Sequence, residues 1–225
     1  MRPDITSIFV SVDIETTGLD PETCDTLEVG AVIDDWLFPL AKPPEFHCYI
    51  KQSLYRGQPF ALSMHPTIFR RIAIEEEGYS YFFPGEFAEA FGSWLNINHA
   101  YVIDPDNLKR EARGVVAGKN FASFDDRFLR KFKNYDQHVK FHQRILDPGM
   151  MFWSPTEDTK PPGSQTCMER TNQEGKVAHT ALEDAKSVAK MIQTHAGRAS
   201  PATDLVKIAQ YRGIKLPAWL EEVVG

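Results

Sequence analysis

The stretch from Ile8 to Leu19 (Ile-Phe-Val-Ser-Val-Asp-Ile-Glu-Thr-Thr-Gly-Leu) constrains this chain more than any other. Its first half is apolar and β-branched, the composition of a buried strand. Its second half carries Asp13 and Glu15 two residues apart, and strand alternation puts both carboxylates on one face. Like charges side by side at the end of a buried strand repel each other and resist desolvation. A divalent cation is the commonest reason for holding such a pair together. The expectation is a metal site at the end of the first strand, completed by carboxylates from later in the chain.

The chain behind that strand reads as α/β. Asp20 to Asp25 is a polar turn. Leu27 to Asp34 and Glu45 to Ile50 then form two more strands of an antiparallel meander, which is unlike the βαβ opening of a dinucleotide-binding fold. Helical spacing predicts helices over Ser63 to Glu77, Pro84 to Leu95 and Phe124 to Phe132. The clearest is Ala178 to His195, with Leu182, Ala185, Val188, Ala189 and Ile192 as its core stripe. Short strands are expected at Val115 to Gly118 and Arg144 to Asp147, and a loop at Ser154 to Ser164. A polar insertion spans residues 99 to 114. The division expected is one catalytic domain over 1–200, with a helical extension over 201–225 packed on it, whose apolar residues are Leu216, Trp219, Leu220 and Val223.

At 225 residues and 42% hydrophobic content, a sizeable core is within reach. A formal net charge of -6 rules out a global basic field for coating duplex nucleic acid, but not a metal-filled pocket that takes one strand end. Cys24, Cys48 and Cys167 are scattered, odd in number and lack metal-ligand spacing, as expected of reduced thiols. Met1-Arg2-Pro3-Asp4 leads straight into the first strand, and no stretch reaches transmembrane length. The expected location is the cytoplasm, without membrane attachment.

Two later acids have the setting needed to join the pair. Asp125 lies near the start of a helix that follows a strand, five residues after Asn120. Asp184 lies in the first turns of the strongest helix, with His179 five residues before it. Together, Asp13-Ile-Glu15-Thr-Thr-Gly-Leu19, Asn120-Phe-Ala-Ser-Phe-Asp125-Asp-Arg-Phe-Leu129 and His179-Thr-Ala-Leu-Glu-Asp184-Ala185 resemble the three motifs of the DEDDh 3′→5′ exonuclease family. That family includes polymerase proofreading subunits, ribonuclease T and oligoribonuclease. The resemblance runs in order over residues 8 to 195, and the first two motifs look nearest to oligoribonuclease.

The resemblance implies a ribonuclease-H-like fold: a mixed five-stranded sheet, its first three strands antiparallel, with helices on both faces. It implies hydrolysis of phosphodiester bonds at the 3′ end of single-stranded DNA or RNA, releasing nucleoside 5′-monophosphates. Two Mg²⁺ or Mn²⁺ ions are implied as cofactors. Asp13, Glu15 and Asp184 would hold one, Asp13 with Asp125 the other, and His179 would be the general base. Thr16, Thr17 and Leu19 would cradle the terminal nucleotide, Asn120 would help order the site, and Met64 and His65 would lie along the opposite wall. Hard oxygen donors suit these ions, and two cations about 3.5–4 Å apart neutralise both ends of an in-line displacement.

Several residues keep two readings. Arg127, Arg130, Lys131 and Lys133 fit a strand-steering face and a solvated face equally well. Glu28 fits a supporting residue behind the ligands or an ordinary strand-face acid. His47, His65, His99, His138, His142 and His195 lack a context like that of His179 and read as structural or exposed. The alternative functions are a short-RNA-specific oligoribonuclease and a non-catalytic exonuclease-like module that binds nucleic acid or protein.

Overall fold

The computed structural model describes residues 7–98, 100, 114–175, 177–199, 206, 209–210 and 213–215. The expected insertion, apart from Ala100 and Gly114, and the tail residues Leu216, Trp219, Leu220 and Val223 lie outside the described residues.

The first strand, β1 (Ile8–Thr16), is an interior strand of a five-stranded sheet. It pairs antiparallel with β2 (Thr26–Asp35), which pairs antiparallel with β3 (Glu45–Ile50). The edges are β4 (Ser80–Phe82), parallel to β3, and β5 (Val116–Ala117), parallel to β1, giving the order β4-β3-β2-β1-β5. The mixed sheet with an antiparallel opening is thus present, but one strand differs from expectation. Residues 144–147 contribute only a bridge between Leu146 and Ala117. The segment stops there because Asp147 caps the next helix, α6 (Pro148–Met151), and Pro148 has no N–H to give a ladder. The fifth place is taken by β4, a three-residue edge too short to show a pattern of its own.

Helices cover both faces. On one side Val10, Val12 and Ile14 point into a core with Phe87, Phe91 and Leu95 of α3 (Phe87–Ile97) and Phe128 and Leu129 of α4 (Asp125–Leu129). On the other, Phe9 packs against Val188, Ala189 and Ile192 of α8 (Ala181–Ala199), the long helix that crosses β1 and β2. Asp13 and Glu15 share the α8 face with Phe9 by alternation. Two contacts seat α8 there. The Ser11 hydroxyl donates to the Ala185 carbonyl at 2.7 Å. Gly30, across from Asp13, leaves no room for a side chain: a Cβ there would lie 2.2 Å from the Leu182 nitrogen.

The expected helix over Ser63 to Glu77 is two helices, α1 (Pro59–Met64) and α2 (Pro66–Ile74). His65, at the break, has φ -114° and ψ 39°, because the residue before a proline is pushed out of the helical region. Between α4 and α6 lies one turn of helix, α5 (Tyr135–His138), and α7 (Ser164–Arg170) closes the loop region before α8. Cys24, Cys48 and Cys167 are buried free thiols. Among the described residues, no helix is long and apolar enough to cross a membrane.

Candidate metal centre

The ladder between β1 and β2 is regular up to the pair Glu15 and Glu28, and then shifts register between Glu15 and Thr16. That irregularity ends the strand and re-aims the chain, as bulges near sites do. It leaves Asp13 and Glu15 as the last two residues of the regular α8-facing row.

Asp184 enters from α8. Its carboxylate accepts hydrogen bonds from the backbone N–H groups of Ala178 and His179, each at 3.1 Å. These bonds hold His179 in the left-handed region at φ 53°, so α8 begins only at Ala181 and not at Ala178. One ligand atom each from Glu15, His179 and Asp184 lies within 4.8 Å of the others. Residues from β1 and from the start of α8, far apart in sequence, thus converge on a space the size of a cation with its ligands.

Asp125 comes from the opposite side. It is the first residue of α4, buried at 3% exposure. Burial pushes its pKa up to about 8, with Asp126 and Asp147 adding to the rise. Burial likewise pushes Glu15 up to about 8, with the charges of Glu28, Asp184 and Asp125 behind it. Asp13 is raised well above the usual carboxylate range, first by burial and then by Asp125, Asp184, Glu15 and Glu28. Asp184 is raised by burial, opposed by its two backbone donors and by His179. Mutual repulsion among acids that all resist ionising is relieved by a multivalent cation. The donors are carboxylate oxygens with one imidazole and no thiolate, a set that suits Mg²⁺ or Mn²⁺.

Four residues absent from the predicted set, or given little weight in it, belong to this site. His65, projecting from the break before Pro66, is buried and sets Nε2 3.6 Å from Glu15 Oε2. Its pKa is lowered, mainly by burial. Glu28 is fully buried and binds His47 Nε2 at 2.5 Å. Asp147 accepts from the backbone N–H of Asn120 at 3.0 Å and of Gly149 at 2.7 Å, fixing the turn that leads into α4. His65 was readable from the proline after it. Glu28 and His47 needed the strand register.

The remaining predicted residues lie on the loops and turns next to these strands and helices. Both threonine hydroxyls are committed to the backbone. Thr16 Oγ1 donates to Gly18 at 2.7 Å, and Thr17 Oγ1 donates to Arg56 while accepting from the Asp25 N–H. They shape the loop. Asn120 is an exposed turn residue at φ 59°, whose carbonyl accepts from Ser123 and Phe124 ahead of α4. Leu19 is 72% exposed beyond the loop. The neighbouring segment is pinned to the same loop: Gln58 N–H donates to the Thr17 carbonyl at 2.8 Å, and Gly57 lies against the Thr17 side chain. Phe60, two residues on, is 77% exposed. Of the four candidate steering cations, Arg130 is engaged by Asp126 and Asp136, and Lys131 donates to the carbonyls of Pro21 and Cys24. Arg127 and Lys133 are exposed.

No family model and no curated protein sequence matches this chain. Solved structures do. The nuclease domain of 3′hExo, a DEDDh family member bound to rAMP, superposes with a TM-score of 0.58 at 13% identity, over 86% of this chain and 92% of that one. The likeness is one of fold. The zinc-bound complex of E. coli exonuclease I with single-stranded DNA gives a TM-score of 0.55 at 18% identity, over 92% of this chain. E. coli exonuclease I with a dT13 oligonucleotide gives 0.55 at 20% identity. The chain spans 43% and 42% of these two exonuclease I chains.

Proposed function

We propose that this chain is a two-metal 3′→5′ exonuclease, hydrolysing phosphodiester bonds at the 3′ end of single-stranded nucleic acid and releasing nucleoside 5′-monophosphates. The observation that carries the reading is the convergence of Glu15, His179 and Asp184 within 4.8 Å, on the strand end that also bears Asp13. The exonuclease fold and the oligonucleotides bound by its neighbours support it.

In this reading Asp13, Glu15 and Asp184 would hold one Mg²⁺ or Mn²⁺, and Asp13 with Asp125 would hold a second. When bound, the pair would supply Lewis-acid stabilisation to the charge that develops on the phosphoryl and leaving oxygens. His179 lies on the exposed rim of the acids, where it can take the proton from the attacking water. Its position owes nothing to packing: the Asp184 carboxylate holds its backbone, so ligand and base move as one unit. Leu19, with Phe60 on the adjoining segment, offers apolar surface to the terminal base, above a floor shaped by Thr16 and Thr17. Asn120 acts at one remove, setting the turn that aims Asp125.

The test uses 3′-labelled and 5′-labelled single strands with Mg²⁺ or Mn²⁺. Stepwise shortening from the 3′ end is expected, with Asp13→Ala lowering the rate by more than about a hundredfold. Absence of shortening with either ion, or parental activity in Asp13→Ala, would end the enzyme reading in favour of a non-catalytic module. Matched RNA and DNA strands of several lengths in the same assay distinguish an oligoribonuclease, which degrades only short RNA, from a general single-strand exonuclease.

A further inference from the structure

Glu28 is an acid at this site with no place in a four-carboxylate scheme. It is the register partner of Glu15 on β2, so the two side chains stand on the same face about 5 Å apart at Cβ. It is 0% exposed. One oxygen, Oε1, is taken by His47 Nε2. The other, Oε2, is buried and has no hydrogen-bond partner among the described residues. With Gly30 opposite Asp13, strand alternation puts Glu28 on the same sheet face as Asp13 and Glu15.

A scaffold role does not account for this arrangement. Joining β2 to β3 through His47 needs one carboxylate oxygen, and glutamine would provide it without the charge. A buried carboxylate oxygen with no donor, set among three other acids, costs stability on both counts. The arrangement is explained once a cation, or the water around it, supplies the missing partner. Glu28, like Asp13 and Asp125, falls outside the group of Glu15, His179 and Asp184 whose ligand atoms lie within 4.8 Å of one another.

We propose that Glu28 is a fifth carboxylate of the metal centre, in which Oε2 accepts a hydrogen bond from water on the cation held by Glu15 and Asp184, and His47 is the residue that aims it. The bracket around His47 fits that task. Its ring stands edge-on to Tyr49 and Tyr79, with centroids at 5.2 and 5.6 Å. Arg71 in turn fixes both tyrosines, donating to the Tyr49 hydroxyl at 2.7 Å and lying 4.5 Å from the Tyr79 ring centre. The imidazole that aims Glu28 is therefore held by packing against both rings.

This inference rests on the proposed metal reading, and its test separates the two. The full chain, stripped by chelator and free of nucleic acid, is titrated calorimetrically with MnCl₂, and thermal unfolding is followed without metal. In Glu28→Gln, Mn²⁺ affinity should fall by about tenfold or more, the range for groups just behind a metal's ligands. The metal-free Tm of this variant should hold or rise, because a buried charge has been removed from a repelling cluster. His47→Phe should weaken Mn²⁺ binding by a smaller factor, and His47→Gln, which keeps a donor, should recover part of it. Parental Mn²⁺ affinity in Glu28→Gln would overturn the inference, as would weaker binding accompanied by a lower metal-free Tm, which marks a scaffold residue. Asp13→Asn is the control. If the parent binds Mn²⁺, Asp13→Asn does not and Glu28→Gln does, only this inference falls. If the parent binds none, the metal reading falls with it.

Discussion

His179 shows how much chemistry here turns on single side chains. It lies close enough to Glu15 and Asp184 to ligate a cation with them, and exposed enough to work on water as a base. The two roles leave different traces. A base removes a proton in the transition state and is worth about 10²–10⁴ in rate. A ligand contributes to holding the ion before any substrate arrives. His179→Ala is therefore expected to lower kcat by about 10²–10⁴ while its calorimetric Mn²⁺ affinity stays near the parent's. Loss of Mn²⁺ binding in that variant would make His179 a ligand instead. Asp184 makes the opposite case. Its two bonds to the backbone of 178 and 179 mean that Asp184→Asn disturbs the ion and the position of His179 together.

At the scale of elements, the site depends on how closely α8 lies on the sheet, and Gly30 sets that distance. A methyl group there would lie 2.2 Å from the Leu182 nitrogen and 2.3 Å from the Ala181 carbonyl carbon, both backbone atoms that cannot swing aside. Gly30→Ala should cost about 1–3 kcal/mol in stability by overpacking and, by lifting the first turn of α8, carry Asp184 away from Glu15. Urea unfolding should show the first effect, and an activity loss larger than the stability loss the second. Parental values in both would mean α8 is not seated as described. Elements also explain what could be read from sequence and what could not. Alternation placed Asp13 and Glu15 on one face because a strand's period is fixed at two. The break at His65 was equally local, since Pro66 cannot follow a helical residue comfortably. The start of α8 was not local, because the Asp184 carboxylate holds His179 out of the helix. Nor was β4, three residues defined only by the backbone of β3. The bond between Glu28 and His47 was out of reach as well, because it joins two strands whose register the sequence pattern leaves open.

The whole molecule carries the acids as a stored electrostatic cost, and pH should expose it. Glu15 and Asp125 have pKa values near 8 in the folded chain, against about 4 for carboxylates in an unfolded one. Between those limits the folded state keeps protons that the unfolded state has already released, so raising pH favours unfolding. The contribution is complete below about pH 4 and lost by about pH 8, the reverse of an ordinary salt-bridged carboxylate. Without metal, Tm should therefore fall from about pH 5 to about pH 8. Mn²⁺ should oppose that fall, because ligands must be deprotonated to bind, so the ion gains affinity over the pH range in which the protein alone loses stability. At a hundred times its Kd, a bound ion adds about 2.7 kcal/mol, or about 5–10 °C for a chain of this size. Scanning calorimetry at several pH values, with and without Mn²⁺, reads both slopes. The metal-induced rise in Tm should be larger at pH 8 than at pH 6. A rise that shrinks with pH, or a metal-free Tm that climbs toward pH 8, would show that these carboxylates are already ionised and paired within the protein and need no cation.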